Sequence, residues 1–162
     1  MRLFLLLLAL SLAAPAAMTA NAAQTILVVG DSLSAGYGLS PEEAWPSLLA
    51  GRLAERRLDY SVANISISGE TTAGGRSRLP AALAARRPAI VIIALGANDG
   101  LRGLSLEQTR GNLAAMIAAA QQSGARVLLA GMRLPPNYGP YAEEFHAMFA
   151  DLARQRKTAL LP

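Results

Sequence analysis

The chain has 162 residues, enough for one domain with a substantial core, and 15 Lys and Arg against 11 Asp and Glu leave a formal net charge of only +4. Cysteine is absent, which excludes disulfide staples, thiolate metal sites and a cysteine nucleophile. The basic residues Arg52, Arg56, Arg57, Arg86, Arg87 and Arg126 fall at helix ends and connections and lack interleaved aromatics, so nucleic acid is not an expected partner.

Residues 1–22 read as a signal peptide. Arg2 stands beside the terminal amine, an apolar run extends from Leu3 to Leu10, and Ala20 and Ala22 occupy the small-residue positions before a cut ahead of Ala23. The apolar run is shorter than the roughly 20 residues that span a bilayer, which disfavours a membrane anchor. A periplasmic or secreted protein is expected, with no stable membrane insertion after cleavage, and residues 23–162 form the single folded domain.

Beyond the leader, apolar runs at Ile26 to Val29, Tyr60 to Ile67, Ala89 to Leu95 and Arg126 to Met132 alternate with helix-length segments. This alternation predicts βαβ units around a parallel sheet, an α/β class. Ile90, Val91, Ile92 and Ile93 form the unbroken apolar stretch of a strand covered on both faces. Helices are predicted over Trp45 to Arg56, Gly75 to Ala85, Ser105 to Ser123 and Tyr141 to Arg156. In the third, Leu106, Leu113, Met116, Ile117 and Ala120 make one apolar face. The Pro135 to Pro140 segment is expected to be a loop, and Thr158 to Pro162 opens a fifth strand.

In open parallel sheets reactive groups collect at the carboxyl ends of strands. Three polar motifs fall there: Gly30-Asp31-Ser32-Leu33-Ser34, Ser68-Gly69-Glu70-Thr71 and Gly96-Ala97-Asn98-Asp99-Gly100. Gly30 is expected to allow a sharp turn that presents the Ser32 hydroxyl to a cleft. The N–H groups of Ser32 and Gly69 and the amide of Asn98 could together hold a tetrahedral oxyanion. Each motif alone is ordinary turn chemistry. Their occurrence after three successive strands favours catalysis. Asp31 and Asp99 are read as bracing groups, Asp99 as a helix cap or a support for Asn98. His146, the sole histidine, is read as a packed or solvated helix residue. A phosphate or nucleotide site is disfavoured, because no glycine-rich phosphate motif is present.

The three motifs resemble the conserved blocks of the SGNH (GDSL) hydrolases, and the likeness runs from Ile26 to Pro162 through Ala44-Trp45-Pro46 and Arg133-Leu134-Pro135-Pro136-Asn137-Tyr138-Gly139. The resemblance implies a flavodoxin-like three-layer α/β/α sandwich on a central parallel sheet, with helices on both sides. It implies Ser32 as nucleophile and the Ser32 N–H, Gly69 and Asn98 as the oxyanion hole. Asp31, Leu33, Leu134 and Tyr138 are the candidate substrate contacts. The implied activity is hydrolysis of small-molecule acyl esters and thioesters by a monomer, without cofactor or metal. The family takes its catalytic Asp and His from a late Asp-x-x-His block that is absent from these residues. The C-terminal part of the domain is therefore expected to be missing, with a longer parent carrying that pair and weak turnover by this chain. A non-catalytic acyl-binding protein on the same fold is the alternative.

Overall fold

The structure is a computed structural model describing residues 23–162, so the expected signal peptide at 1–22 lies outside the described residues. Five strands form one parallel sheet: β1 (Gln24–Gly30), β2 (Tyr60–Asn64), β3 (Ile90–Ala94), β4 (Arg126–Ala130) and β5 (Ala159–Leu161), in the order β2-β1-β3-β4-β5. Six helices connect and cover them: α1 (Ser32–Ala35), α2 (Trp45–Glu55), α3 (Thr72–Arg86), α4 (Ala97–Leu101), α5 (Leu106–Gln122) and α6 (Pro140–Arg156). The expected α/β class and parallel sheet are borne out.

The central strands are apolar on both faces because both are covered, but the cover is unequal. Leu27, Val29, Val91, Ile93 and Leu95 pack into a large cluster with Leu79 and Leu83 of α3, Leu113, Met116 and Ile117 of α5, and Phe145, Met148, Phe149 and Leu152 of α6. On the other face Ile26, Val28 and Ile92 meet only Trp45, Leu49 and Leu53 of α2 and neighbouring strand residues. The first cluster holds all twelve of the largest fully buried side chains. At about 1.5 to 3 kcal/mol for each fully buried aliphatic or aromatic side chain, that face dominates the hydrophobic stabilisation.

Several element boundaries differ from expectation for identifiable reasons. Helix α3 starts at Thr72 rather than Gly75, because the Thr72 N–H donates to the Asp99 carboxylate, a cap from 27 residues along the chain. Strand β2 ends at Asn64, yet Ile65 N and Ile67 N still donate to the carbonyls of Val28 and Gly30, so the chain stays beside β1 as far as Ile67. The Pro135 to Pro140 segment is not wholly loop. It contains a 3-10 turn at Pro136–Tyr138, and Pro140 begins α6, where a missing N–H costs nothing.

The connection from β1 to β2 runs to one side of β1, whereas β3 lies on the other, so the order in which strands are added reverses between β1 and β3. A cleft opens at such a switch point, because the chain segments leaving adjacent strands diverge. Both strands paired with β1 deliver a polar motif to this end.

Candidate active site

Strand β1 ends at Gly30, Asp31 follows as the N-cap, and Ser32 is the first residue of α1. Asp31 is 1% exposed and accepts from the Leu33 N–H at 3.0 Å. Burial pushes its carboxyl above the usual carboxylate range, and the nearby charge of Asp99 adds to that shift against the lowering effect of the backbone N–H. Ser32 is half-buried and Leu33 exposed. Gly30 is needed for a reason other than the expected sharp turn. Its φ is not positive, but a Cβ there would press against the side chain of Ser34. Close approach therefore selects glycine, and it lets α1 sit directly on the strand end.

Sequence reading missed the groups that hold this turn. The Ser34 hydroxyl, 1% exposed, accepts from the Trp45 indole at 3.3 Å, and the Asn64 amide donates to the Ser34 carbonyl at 2.8 Å. Asn64 also accepts from the Ser66 N–H at 3.1 Å, so one side chain ties the end of β2 to the serine turn. An asparagine at the end of a strand carries no spacing signal that would mark this role.

The second motif forms a tight turn from Ile67 to Glu70, closed by the Glu70 N–H to the Ile67 carbonyl at 3.1 Å. Gly69 has φ of 79°, the value required at the third position of a type II turn and strained for any residue with a Cβ. The third motif becomes α4, which Gly100 allows to lie against Leu134 and Phe145, since a Cβ there would fall 2.7 Å from Leu134 Cδ2. Asn98 on that helix donates through Nδ2 to the Glu70 carbonyl at 3.0 Å and lies 3.5 Å from Asp31 Oδ2. The second contact is at the limit of a hydrogen bond. One amide hydrogen is thus anchored and the other held loosely. Asn98 thereby bridges the second motif and the turn that carries Ser32.

Asp99 serves the fold rather than the cleft. It is 3% exposed and accepts from the Thr72 N–H at 2.9 Å, the Thr72 hydroxyl at 2.5 Å and the Thr109 hydroxyl at 3.4 Å. Asp99→Ala strands the Thr72 N–H and hydroxyl in the interior, where each unsatisfied group costs about 1 to 3 kcal/mol, whereas the Thr109 hydroxyl keeps the Ser105 carbonyl at 3.0 Å as its acceptor. The expected result is a loss of about 3 kcal/mol in a urea melt, with Thr72→Val recovering part of it in the double variant.

Beside Ser32 lies a shallow hollow of about 160 Å³ lined by Ser32, Leu33, Gly36, Tyr37 and Leu39. Leu33 is 67%, Tyr37 81% and Leu39 54% exposed, an apolar rim next to the serine. Leu134 and Tyr138 stand elsewhere. Leu134 is a core residue at the edge of a second hollow of about 250 Å³, shared with Arg133, Pro136, Gly139, Ala142, Glu143 and His146. The Tyr138 hydroxyl donates to the Leu101 carbonyl at 3.0 Å, joining the turn before α6 to the end of α4. His146 directs Nδ1 to the Met132 carbonyl at 3.2 Å, which can only accept, so Nδ1 carries the proton. Its hollow shares no lining residue with that of Ser32. Among the described residues, no group of three or more His, Cys, Asp or Glu is arranged to hold a metal ion.

A parallel sheet whose switch point gathers a capped serine, a positive-φ glycine turn and an asparagine amide has the form of a serine acyl hydrolase site. The chain belongs to the GDSL-like lipase/acylhydrolase family, whose model matches residues 28–162. It is 56% identical over 142 residues to the esterase TesA of Pseudomonas aeruginosa, covering 87% of this chain and 71% of that one. It is 44% identical over 144 residues to a protein of Escherichia coli named as a thioesterase, protease and lysophospholipase, covering 88% and 68%. Among solved structures, a crystal structure of TesA superimposes with a TM-score of 0.83 at 55% identity, covering 85% of this chain and 77% of that one.

Proposed function

We propose that the protein hydrolyses carboxylic esters and thioesters through an acyl intermediate on Ser32. The observation that carries this reading is the meeting of Ser32, the Gly69 turn and Asn98 at the switch point between β1 and β3. The esterase and thioesterase names of the relatives support the substrate class.

Chemically, the Ser32 oxygen attacks the acyl carbonyl, and the charge that develops on the carbonyl oxygen is met by the N–H groups of Ser32 and Gly69 and by the loosely held Asn98 hydrogen. Collapse of the tetrahedral species expels the alcohol or thiol, and water then releases the acid. The hydroxyl proton must pass to a base, since a neutral serine is a weak nucleophile. Among the described residues His146 is the only imidazole, and it is engaged with Met132 beside a different hollow. What the described residues supply to the reaction is oxyanion stabilisation, which by itself gives a weak residual rate. Leu33, with the apolar rim of Tyr37 and Leu39, offers the acyl chain a surface next to the serine. Among the described residues no helix is long and apolar enough to cross a membrane, and the leader at 1–22 supports a periplasmic or secreted location.

A stoichiometric reaction tests the nucleophile without needing fast turnover. Treatment with a p-nitrophenyl alkylphosphonate, followed by peptide mass spectrometry, is expected to leave a single adduct on the peptide containing Ser32. Adducts scattered over other serines, or labelling that survives in Ser32→Ala, would overturn the assignment.

A further inference from the structure

The Gly69 turn is exposed at its tip, and its geometry is set from below. Its start is fixed by the Ile67 N–H donating to the Gly30 carbonyl at 3.0 Å. Its end is fixed by Glu70, whose side chain does not reach toward the cleft. Instead the carboxylate lies back along α3 and accepts from Arg78 Nε at 2.5 Å. The same guanidinium donates through Nη1 to the Ile65 carbonyl at 2.6 Å. One planar fork therefore joins the backbone just before the turn to the side chain just after it, with Gly69 between them.

Two further observations point the same way. A Cβ at Gly74 would collide with the Glu70 carboxylate, so the first full turn of α3 carries a glycine where the carboxylate rests. That glycine costs the helix about 1 kcal/mol relative to alanine. The pair is also well shielded, with Arg78 and Glu70 side chains 25% and 13% exposed, while Arg78 Nη2 is buried with no hydrogen-bond partner among the described residues. A desolvated cation with an unpaired nitrogen is a poor device for stability. Its two bonds fall on either side of Gly69.

We propose that Glu70 and Arg78 are positioning residues that hold the Gly69 N–H, and through the Glu70 carbonyl the Asn98 amide, in line with the oxyanion. The proposal rests on the reading of Gly69 and Asn98 as oxyanion donors. Neither side chain needs to touch substrate. Their effect falls on the charged transition state, where a small misalignment of donors is costly, and leaves ground-state binding unchanged. Lysine cannot replace the arginine, because a point donor does not span both acceptors in the fork geometry.

The test compares Arg78→Met, Arg78→Lys, Glu70→Gln and Gly74→Ala in the full chain. Two quantities are read: amide hydrogen exchange across residues 67–72, and the rate at which the phosphonate labels Ser32. Arg78→Met is expected to raise exchange in that segment about tenfold or more while β3 stays protected. Labelling should slow by about 10- to 100-fold at saturating reagent, with little change in the half-saturating concentration. Arg78→Lys should resemble Arg78→Met, and Glu70→Gln should show a smaller loss. Gly74→Ala is the independent arm. Alanine favours the helix, so a slower reaction without a lower melting temperature separates positioning from simple structural support.

Unchanged exchange at 67–72 in all four variants would overturn the proposal. So would exchange that rises equally in β3, or labelling that keeps its parental rate when the turn is loosened. If the adduct does not fall on Ser32, the catalytic reading fails by itself, and the exchange measurement still decides whether this pair holds the turn.

Discussion

Ser32→Ala is expected to bring hydrolysis of p-nitrophenyl butyrate down to the buffer rate and to abolish the phosphonate adduct. Asp31 remains as the cap of α1, because its bond runs to the Leu33 N–H and does not involve the serine side chain. Alanine is a favourable residue inside a helix. The cost in stability should therefore stay within about 0.5 kcal/mol, the range of substitutions away from core and cap features. An assay on material with an unchanged melt separates loss of chemistry from loss of fold. Near-full turnover by the alanine variant would remove Ser32 from the mechanism.

Asn98→Ala carries the second large effect, a fall of about 100- to 1,000-fold in the rate of the chemical step with KM nearly unchanged. The removed hydrogen is the one held loosely near Asp31, and under the proposed mechanism it meets charge that exists only in the transition state. Deleting the amide also releases the Glu70 carbonyl, so a loss of about 1 kcal/mol in stability should accompany it. The two consequences are separable by measuring rate and melt on the same sample. A rate within threefold of the parent would exclude Asn98 from the oxyanion site.

These effects follow from a division of labour within one motif. Asn98 and Asp99 are adjacent, yet Asn98 reaches the Glu70 carbonyl and Asp31 while Asp99 turns inward to Thr72 and Thr109. Successive helical residues point about 100° apart, so one short helix can serve both the chemistry and the cap of α3. Arg102, one turn beyond Asn98, extends the same face and donates to the Gly69 carbonyl at 3.2 Å. The turn is thus gripped by α4 from the cleft side and by α3 from beneath.

Much of this was legible without coordinates. The alternation of apolar runs with helix-length segments depends on local periodicity, and it announces a parallel sheet whatever the details of packing. The three polar motifs at strand ends were legible for the same reason, because the topology of parallel sheets makes a strand's carboxyl end the place where functional groups collect. A fifth strand was also readable from its short apolar run, expected to open at Thr158 and observed from Ala159.

What could not be read were relations between residues far apart in the chain. The start of α3 depends on Asp99, the posture of α1 on Asn64 and Trp45, and the shape of the Gly69 turn on Arg78. Each is a polar contact made possible by a particular register between β1, β2 and β3, and no period in the sequence encodes register. Gly30 illustrates the limit. Its identity suggested backbone freedom, whereas the fold requires it for contact with Ser34.

The amino-acid sequence alone determined the class of the fold, the residues at its strand ends and the serine on which the chemistry is proposed to turn, because these depend on local pattern. Tertiary structure alone decided which polar groups brace the turn that carries that serine, which hollow lies beside it and how the helices divide three against one across the sheet. Hydrogen-bond partners and cavity walls are set by distances between segments, and those distances exist only once the sheet has closed and its helices have packed.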